Sequence, residues 1–258
     1  FVLGPRINAC GRMSTPDIAL RLLMTHSEKE AQSLALALHE ENKLRQKEER
    51  QVVKEAIAEV ERTINFNRDR VLVVGREGWH QGGIGIVASR LVDKFYRPAL
   101  VVAIQEGRGK GSGRSVRGFH LFYALESCKD LFEEFGGHEQ AVGFSIQEKN
   151  LPLLRQRIND YAAQNSTAET FIKPVDVDLE LKLEDLRAGF IQELRLLEPH
   201  GAGNPRPVFK TCNLEIKAKP KRLTPQTLQF WVSDGNLTTE VFWSDRGDSE
   251  ALAGFEKG

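Results

Sequence analysis

The chain has no net charge, few cysteines and no long apolar run, and each absence narrows what the protein can be. Lysine plus arginine and aspartate plus glutamate balance at 36 each, so no global field draws the molecule to nucleic acid. Any such affinity must come from local basic patches. The 3 cysteines, Cys10, Cys128 and Cys212, lie far apart with no Cys-x-x-Cys pair. That spacing argues against a disulfide framework and a structural zinc site, and fits a reducing cytosol. No apolar stretch approaches the roughly 20 residues of a membrane-spanning helix, and no signal-peptide pattern opens the chain. The 6 histidines are scattered, without the clustered aspartate and histidine that hold a pair of divalent metals.

What is present is ordinary for a folded protein: 258 residues, 40% of them hydrophobic and 28% charged, enough for about two domains. The chain begins with Phe1 rather than methionine and ends inside a β-rich region that reads as unfinished, so it is expected to be part of a longer protein.

Residues 1–24 read as a loop followed by a short helix from Asp17. Ser27 and Glu30 form a capping-box pattern, and a long helix is expected over Glu28–Thr63. Its apolar residues cluster at the two ends, while residues 40–50 are almost wholly charged, as in a connector whose middle is a solvated face. The apolar run at 70–75, a glycine-rich turn, a helix at 84–95 and a second strand at 98–104 predict a βαβ unit with a parallel strand pair. Trp79 and His80, in the turn, are candidates to face a substrate, with Trp79 more commonly a packed core ring. Residues 107–118 read as a glycine-rich loop carrying Arg108, Lys110, Arg114 and Arg117 with no carboxylate. A helix is expected at 119–135, then the stretch Phe135-Gly136-Gly137-His138, a strand at 143–146 and a helix at 151–164. Two glycines ahead of a histidine at the start of a short helix have the composition of an anion pocket: bare N–H groups, a helix N-terminus and a donor imidazole.

After a small polar linker at 165–168 the hydrophobic period changes. Residues 175–183 alternate as a strand with one wet face, a short helix is expected at 185–197, and strand-like runs follow at 208–218, 228–233 and 238–243. Between 206 and 222, Arg206, Lys210, Lys217, Lys219, Lys221 and Arg222 face only one carboxylate, Glu215, with Phe209, Phe230 and Trp231 interleaved or just beyond. Cations with flat rings suit non-specific single-strand binding; the alternative is that the rings are core and the lysines solubilise.

Four segments, Gly4 to Arg12, Gly78 to Arg90, Gly107 to Gly118 and Phe135 to Phe144, in this order and at this spacing, resemble the RecJ family of single-strand-specific 5′→3′ exonucleases in the DHH phosphoesterase superfamily. The resemblance runs over residues 1–242. It implies the end of a DHH catalytic domain at 1–27, a connector helix at 28–64, an α/β DHHA1 domain at 65–168 and an incomplete all-β OB-fold barrel at 169–258. The phosphate-binding residues it implies are Arg6, Ser112, Arg114, Ser115, Gly136 and Gly137, with His138 as the catalytic donor; Arg206, Lys210, Lys217, Lys219, Lys221 and Trp231 would hold DNA. A divalent metal, Mn or Mg, would be bound by the DHH domain, expected to precede Phe1, and none by this part. The implied setting is cytoplasmic DNA repair and recombination on single-stranded DNA with a 5′ end, with a single-strand-binding protein and a helicase as partners and no membrane. Two other readings remain open: a nanoRNase or nucleotide phosphatase of the same superfamily, which would need neither the connector nor the barrel, and a non-catalytic single-strand-binding scaffold.

Overall fold

In the computed structural model, which describes residues 3–13, 15–224 and 227–244, the chain divides into two units, Phe1–Lys173 and Pro174–Gly258. The first unit opens with α1 (Leu3–Met13), α2 (Asp17–Met24) and α3 (Glu28–Thr63). Helix α1 replaces the expected loop, because Pro5 falls in its first turn, where a missing N–H leaves no bond unmade. Helix α3 keeps its predicted bounds. Ser27 Oγ accepts from Glu30 N, but the box closes on one side only: the Glu30 carboxylate is taken by Thr25 Oγ1 at 2.6 Å and Arg21 Nη2 at 2.7 Å. Those two donors hold it below the usual carboxylate range, the threonine first.

The charged middle of α3 is solvated along one side, as expected, with Glu40, Lys43, Lys47, Glu48 and Arg50 exposed, but its other side packs. Arg45 and Glu49 pair at 2.7 Å with each side chain only 14% exposed, Asn42 is buried, and Arg45, Glu49 and Val52 line a narrow recess with His80, Gly83 and Val87. A charged sequence run can pack when its charges pair with one another.

Next come β1 (Leu72–Glu77), α4 (Ile84–Phe95), β2 (Ala99–Gln105), β3 (Arg108–Arg114), α5 (Leu121–Glu126), β4 (Phe132–His138), β5 (Ala141–Gln147) and α6 (Leu151–Asn165). The strands form one sheet in the order β1-β2-β3-β5-β4, with β1 and β2 parallel as predicted and the other pairs antiparallel. On one face Val73, Leu100, Val102, Val142, Phe144 and Ile146 pack with Leu121, Leu125, Leu154 and Ile158 of α5 and α6. On the other, Leu72, Val74, Ala99 and Val101 pack with Ala56 and Val60 of α3 and Ile84, Val87 and Leu91 of α4.

Two segments differ from expectation. The glycine-rich stretch is not a loop but the central strand β3, entered through a two-residue turn in which Glu106 and Gly107 both have positive φ. Its alternation is real, with glycine as the buried partner. A Cβ at Gly109 would lie 2.5 Å from Val102 Cγ1, one at Gly111 2.1 Å from Phe144 Cζ, and one at Gly113 2.5 Å from Leu100 Cδ2. The expected helix at 119–135 stops after α5; a short 3-10 turn, Lys129–Leu131, leads into β4. Phe132 and Phe135 of β4 join the ring cluster around Phe144 and Phe122, and this packing together with pairing to β5 overrides helical propensity. The glycine–histidine motif therefore ends a strand at a hairpin, and no helix begins at His138.

The second unit contains β6 (Leu179–Glu180), α7 (Ala188–Leu194), β7 (Phe209–Lys210), β8 (Glu215–Ile216), β9 (Lys221–Thr224), β10 (Thr227–Ser233) and β11 (Thr238–Ser244). Of the strand expected at 175–183 only β6 pairs, parallel to β7, while Val175 and Val177 stay exposed. The helix expected at 185–197 shrinks to α7, flanked by 3-10 turns at Leu183–Asp185 and Arg195–Leu197. Strands β11-β10-β8, with β9 also on β10, make a four-stranded sheet whose inner face buries Leu228, Phe230 and Val232 against Leu214, Ile216, Val241 and Trp243. Among the described residues these sheets do not close into the expected barrel.

Candidate nucleic-acid interface

Strand pairing decides which residues share a surface in the first unit. Residues directly opposite one another point to the same side of a sheet, so the register generates three rows on the side where α3 and α4 pack. They are Ala99–Arg114–Ala141–His138, Val101–Ser112–Gly143–Gly136 and Ala103–Lys110–Ser145–Glu134. Their β2 members and the near part of β3 lie beneath α4, while α3 covers β1; beyond α4, on β3, β5 and β4, the rows carry small or polar residues.

The glycines in the middle row are unlike those of β3. A Cβ at Gly136 would meet nothing within 4 Å, and one at Gly143 only Gly111 O at 4.0 Å. Neither has a positive φ, so neither packing nor backbone conformation calls for glycine there. Glycine weakens a strand, and one with no internal reason marks a place where something else comes close to the backbone. Gly137 differs: its φ is +139° and a Cβ would lie 2.3 Å from Ala141 O, so the hairpin itself requires it.

Hydrogen-bond donors border this bare floor. Arg114 and His138 occupy one row with Ala141 between them, so their Cα atoms stand two strand spacings, about 10 Å, apart. The Arg114 guanidinium is steadied by Nη1 donating to Gly113 O at 2.7 Å and Ser112 Oγ at 3.2 Å. His138 Nδ1 accepts from Gln140 N at 3.3 Å, which leaves the proton of a neutral ring on Nε2 as an exposed donor. Helix α4 reaches the same place with no acidic residue in its first turn and no side-chain cap.

The third row is electrically balanced. Glu134 accepts from Lys110 Nζ at 2.6 Å and Ser145 Oγ at 2.8 Å, and these two hold its carboxyl below the usual range, the lysine first. This row opens into a cleft of about 960 Å³ with Trp79 and His80 on its rim. Trp79 is a core ring, buried, with its indole N–H donating to Glu55 at 2.9 Å.

The other predicted residues fall elsewhere. Ser115 is buried, its hydroxyl donating to Phe119 O at 2.6 Å and its N–H to Gln140 O at 3.0 Å, so it braces the loop against the hairpin. Arg6 sits on α1 with Nη2 3.1 Å from His39 Nδ1, joining α1 to α3. Gly143 and Gly85 lie inside the motif segments but are given no role there, although the period of two in β5 aligns Gly143 with Ser112. No group of three or more metal-binding side chains occurs among the described residues, and the donors on this face, guanidinium, hydroxyl and imidazole N–H, suit oxyanions rather than magnesium or manganese.

The outer face of the four-stranded sheet gathers a different set. Lys217 N donates to Trp231 O, and Trp231 pairs with Glu240; Lys221 pairs with Gln229, which pairs with Phe242. Two parallel rows result, Lys217–Trp231–Glu240 and Lys221–Gln229–Phe242, with the two rings diagonal neighbours. Trp231 is 43% and Phe242 57% exposed, whereas Phe230 belongs to the core and Phe209 packs edge-on to Phe190 at 5.4 Å. Phe242 is absent from the residues the sequence singles out; its parity with Trp231 across the hairpin is the signal. Arg206 and Lys219 are exposed outside the strands, and Lys210 lies on β7 in the two-stranded sheet, where Cys212 and, less, Glu180 hold its ammonium above the usual lysine range.

Comparison with known proteins gives two family matches, the DHHA1 domain over residues 68–164 and the RecJ OB domain over 177–254. The single-stranded-DNA-specific exonuclease RecJ of Bacillus subtilis (strain 168) is 44% identical over 209 residues, which is 80% of this chain and 26% of that protein. Crystal structures of RecJ from Thermus thermophilus, one in complex with Mg2+ and one with Mn2+, superpose with TM-score 0.79 at 32% identity over 96% of this chain, and over 38% and 36% of those chains. The chain thus spans about a quarter of the length of the B. subtilis relative.

Proposed function

The chain is a DHHA1 domain followed by a RecJ OB domain, matching the C-terminal part of the RecJ family, and from that premise we propose that it is the substrate-holding part of a metal-dependent 5′→3′ exonuclease acting on single-stranded DNA in repair and recombination. In the whole protein, residues 1–27 complete the DHH domain, 28–64 connect, 65–168 form the end-recognising domain and 169–258 the strand-holding one. The setting is cytoplasmic; among the described residues no helix is long and apolar enough to cross a membrane.

The reading is carried by the bare floor of Gly136 and Gly143 between Ser112, Arg114 and His138. A phosphate resting there can approach the backbone closely. Arg114 offers a planar fork for charge-assisted bonds, Ser112 a hydroxyl and His138 its Nε2–H. These groups hold the 5′-terminal phosphate and fix the register of the strand, so that the next phosphodiester lies at the hydrolytic centre. His138 also supplies a donor to charge developing on phosphoryl oxygens. The family resemblance assigns the divalent metals that activate water in such reactions to the DHH domain. Downstream, Trp231 and Phe242 stack on bases of any sequence while Lys217 and Lys221 follow the phosphates.

The test is Arg114→Ala in the full-length enzyme on a 5′-phosphorylated strand. A fall in kcat/KM of about 100-fold is expected, the order of removing a preorganised charged donor; unchanged KM and kcat would remove the assignment.

A further inference from the structure

Gly85 is the second residue of α4, a twelve-residue helix otherwise opening Ile84, Ile86, Val87, Ala88. Glycine is the poorest helix former after proline, and this one has no positive φ to justify it. What it does have is two neighbours. A Cβ would stand 3.2 Å from Arg114 Nη2 and 3.2 Å from Ser112 Oγ, with the Arg114 Cζ at 3.8 Å. The guanidinium is already held on its other nitrogen by Gly113 O and Ser112 Oγ, so it cannot swing away from a new methyl without loosening those bonds.

We propose that Gly85 is a positioning residue for the phosphate seat: by leaving this place empty it lets the guanidinium of Arg114 and the hydroxyl of Ser112 lie against the first turn of α4, which fixes where both meet the substrate. The inference rests on the reading of this face as the 5′-phosphate site, and extends the site to a backbone position in the first turn of α4. A methyl at this position displaces both donors by a few tenths of an ångström, tighter than contacts of this kind ordinarily become, while making α4 a better helix.

These two effects have opposite signs, which makes the test sharp. Gly85→Ala and Arg114→Ala are made in the full-length protein. Affinity for one single-stranded oligonucleotide, bearing either a 5′ phosphate or a 5′ hydroxyl, is measured without metal, alongside the melting temperature. The expected result for Gly85→Ala is a preference for the phosphorylated strand reduced about tenfold, with affinity for the hydroxyl strand kept and the melting temperature equal or higher. An unchanged preference overturns the proposal, as does an equal loss for both strands with a lower melting temperature, or a variant that does not fold, because each assigns the glycine to packing. Arg114→Ala separates the two layers. If it leaves the preference intact, the phosphate seat itself is misplaced; if it abolishes the preference while Gly85→Ala keeps it, only the role of Gly85 falls.

Discussion

The two candidate surfaces are both the open side of a β-sheet, yet they are built from opposite materials. On the β3–β5–β4 face the floor is glycine and the border is guanidinium, hydroxyl and imidazole. On the β8–β9–β10–β11 face the floor is two rings and an amide, and the border is Lys217, paired with Glu215, and Lys221 on one side and Glu240 on the other. A bare floor with converging donors recognises one compact group in one position, because each bond depends on geometry. Rings and flexible cations accept many positions, because stacking and charge are tolerant of both. Under the proposed function the difference becomes a division of labour, with the first surface reading an end and the second holding a length.

Filling the floor should separate the surfaces most strongly. Gly136→Val places a β-branched residue where a strand welcomes it, so stability should hold or rise, while kcat/KM on a 5′-phosphorylated strand should fall about 100-fold as the phosphate is pushed off its donors. Steady-state kinetics with a thermal melt would check both halves. On the opposite side of the same sheet the outcome reverses: Gly111→Ala, meeting the Phe144 ring at 2.1 Å, should lower stability by about 2 kcal/mol, seen in denaturant unfolding. If both glycines responded alike, the distinction between reserved space and packed space would collapse.

Smaller effects belong to the second surface. Trp231→Ala or Phe242→Ala should each weaken binding of long strands about tenfold and leave short ones nearly unchanged, the order expected for one stacked base. Loss of Lys217 and Lys221 together should reduce the slope of log affinity against log salt by about 0.7 per phosphate contact, a titration readout insensitive to the 5′ group.

Much of this arrangement is legible in the sequence. The bounds of α3 and α4 follow from the Ser27 cap and the spacing of Ile84, Val87, Ala88 and Leu91. Ser112, Arg114, Gly136 and His138, which the family resemblance names, fall on one face of one sheet. Less legible is the strand character of β3, because Gly109, Gly111 and Gly113 register as loop when in fact neighbouring side chains fill their places from across the sheet. For the same reason β4 resembles helix: Phe132 and Phe135 have helical spacing, and only the partner Phe144 shows that they belong to a strand. Ser115 sits next to Arg114 in sequence, but alternation turns it to the other side, where it bonds Phe119 O. Gly85 and Gly143 carry no side chain for a motif to show, and their meaning lies wholly in what surrounds them.

The most direct measurement takes the full-length, metal-free protein and determines the affinity of wild type, Gly136→Val and Trp231→Ala for short and long single strands, each with a 5′ phosphate or a 5′ hydroxyl. Gly136→Val is expected to erase the dependence on phosphate at both lengths and keep the dependence on length, and Trp231→Ala to do the reverse. Equal weakening of all four strands by both variants would contradict this division, because end recognition and strand holding would then be one surface rather than two.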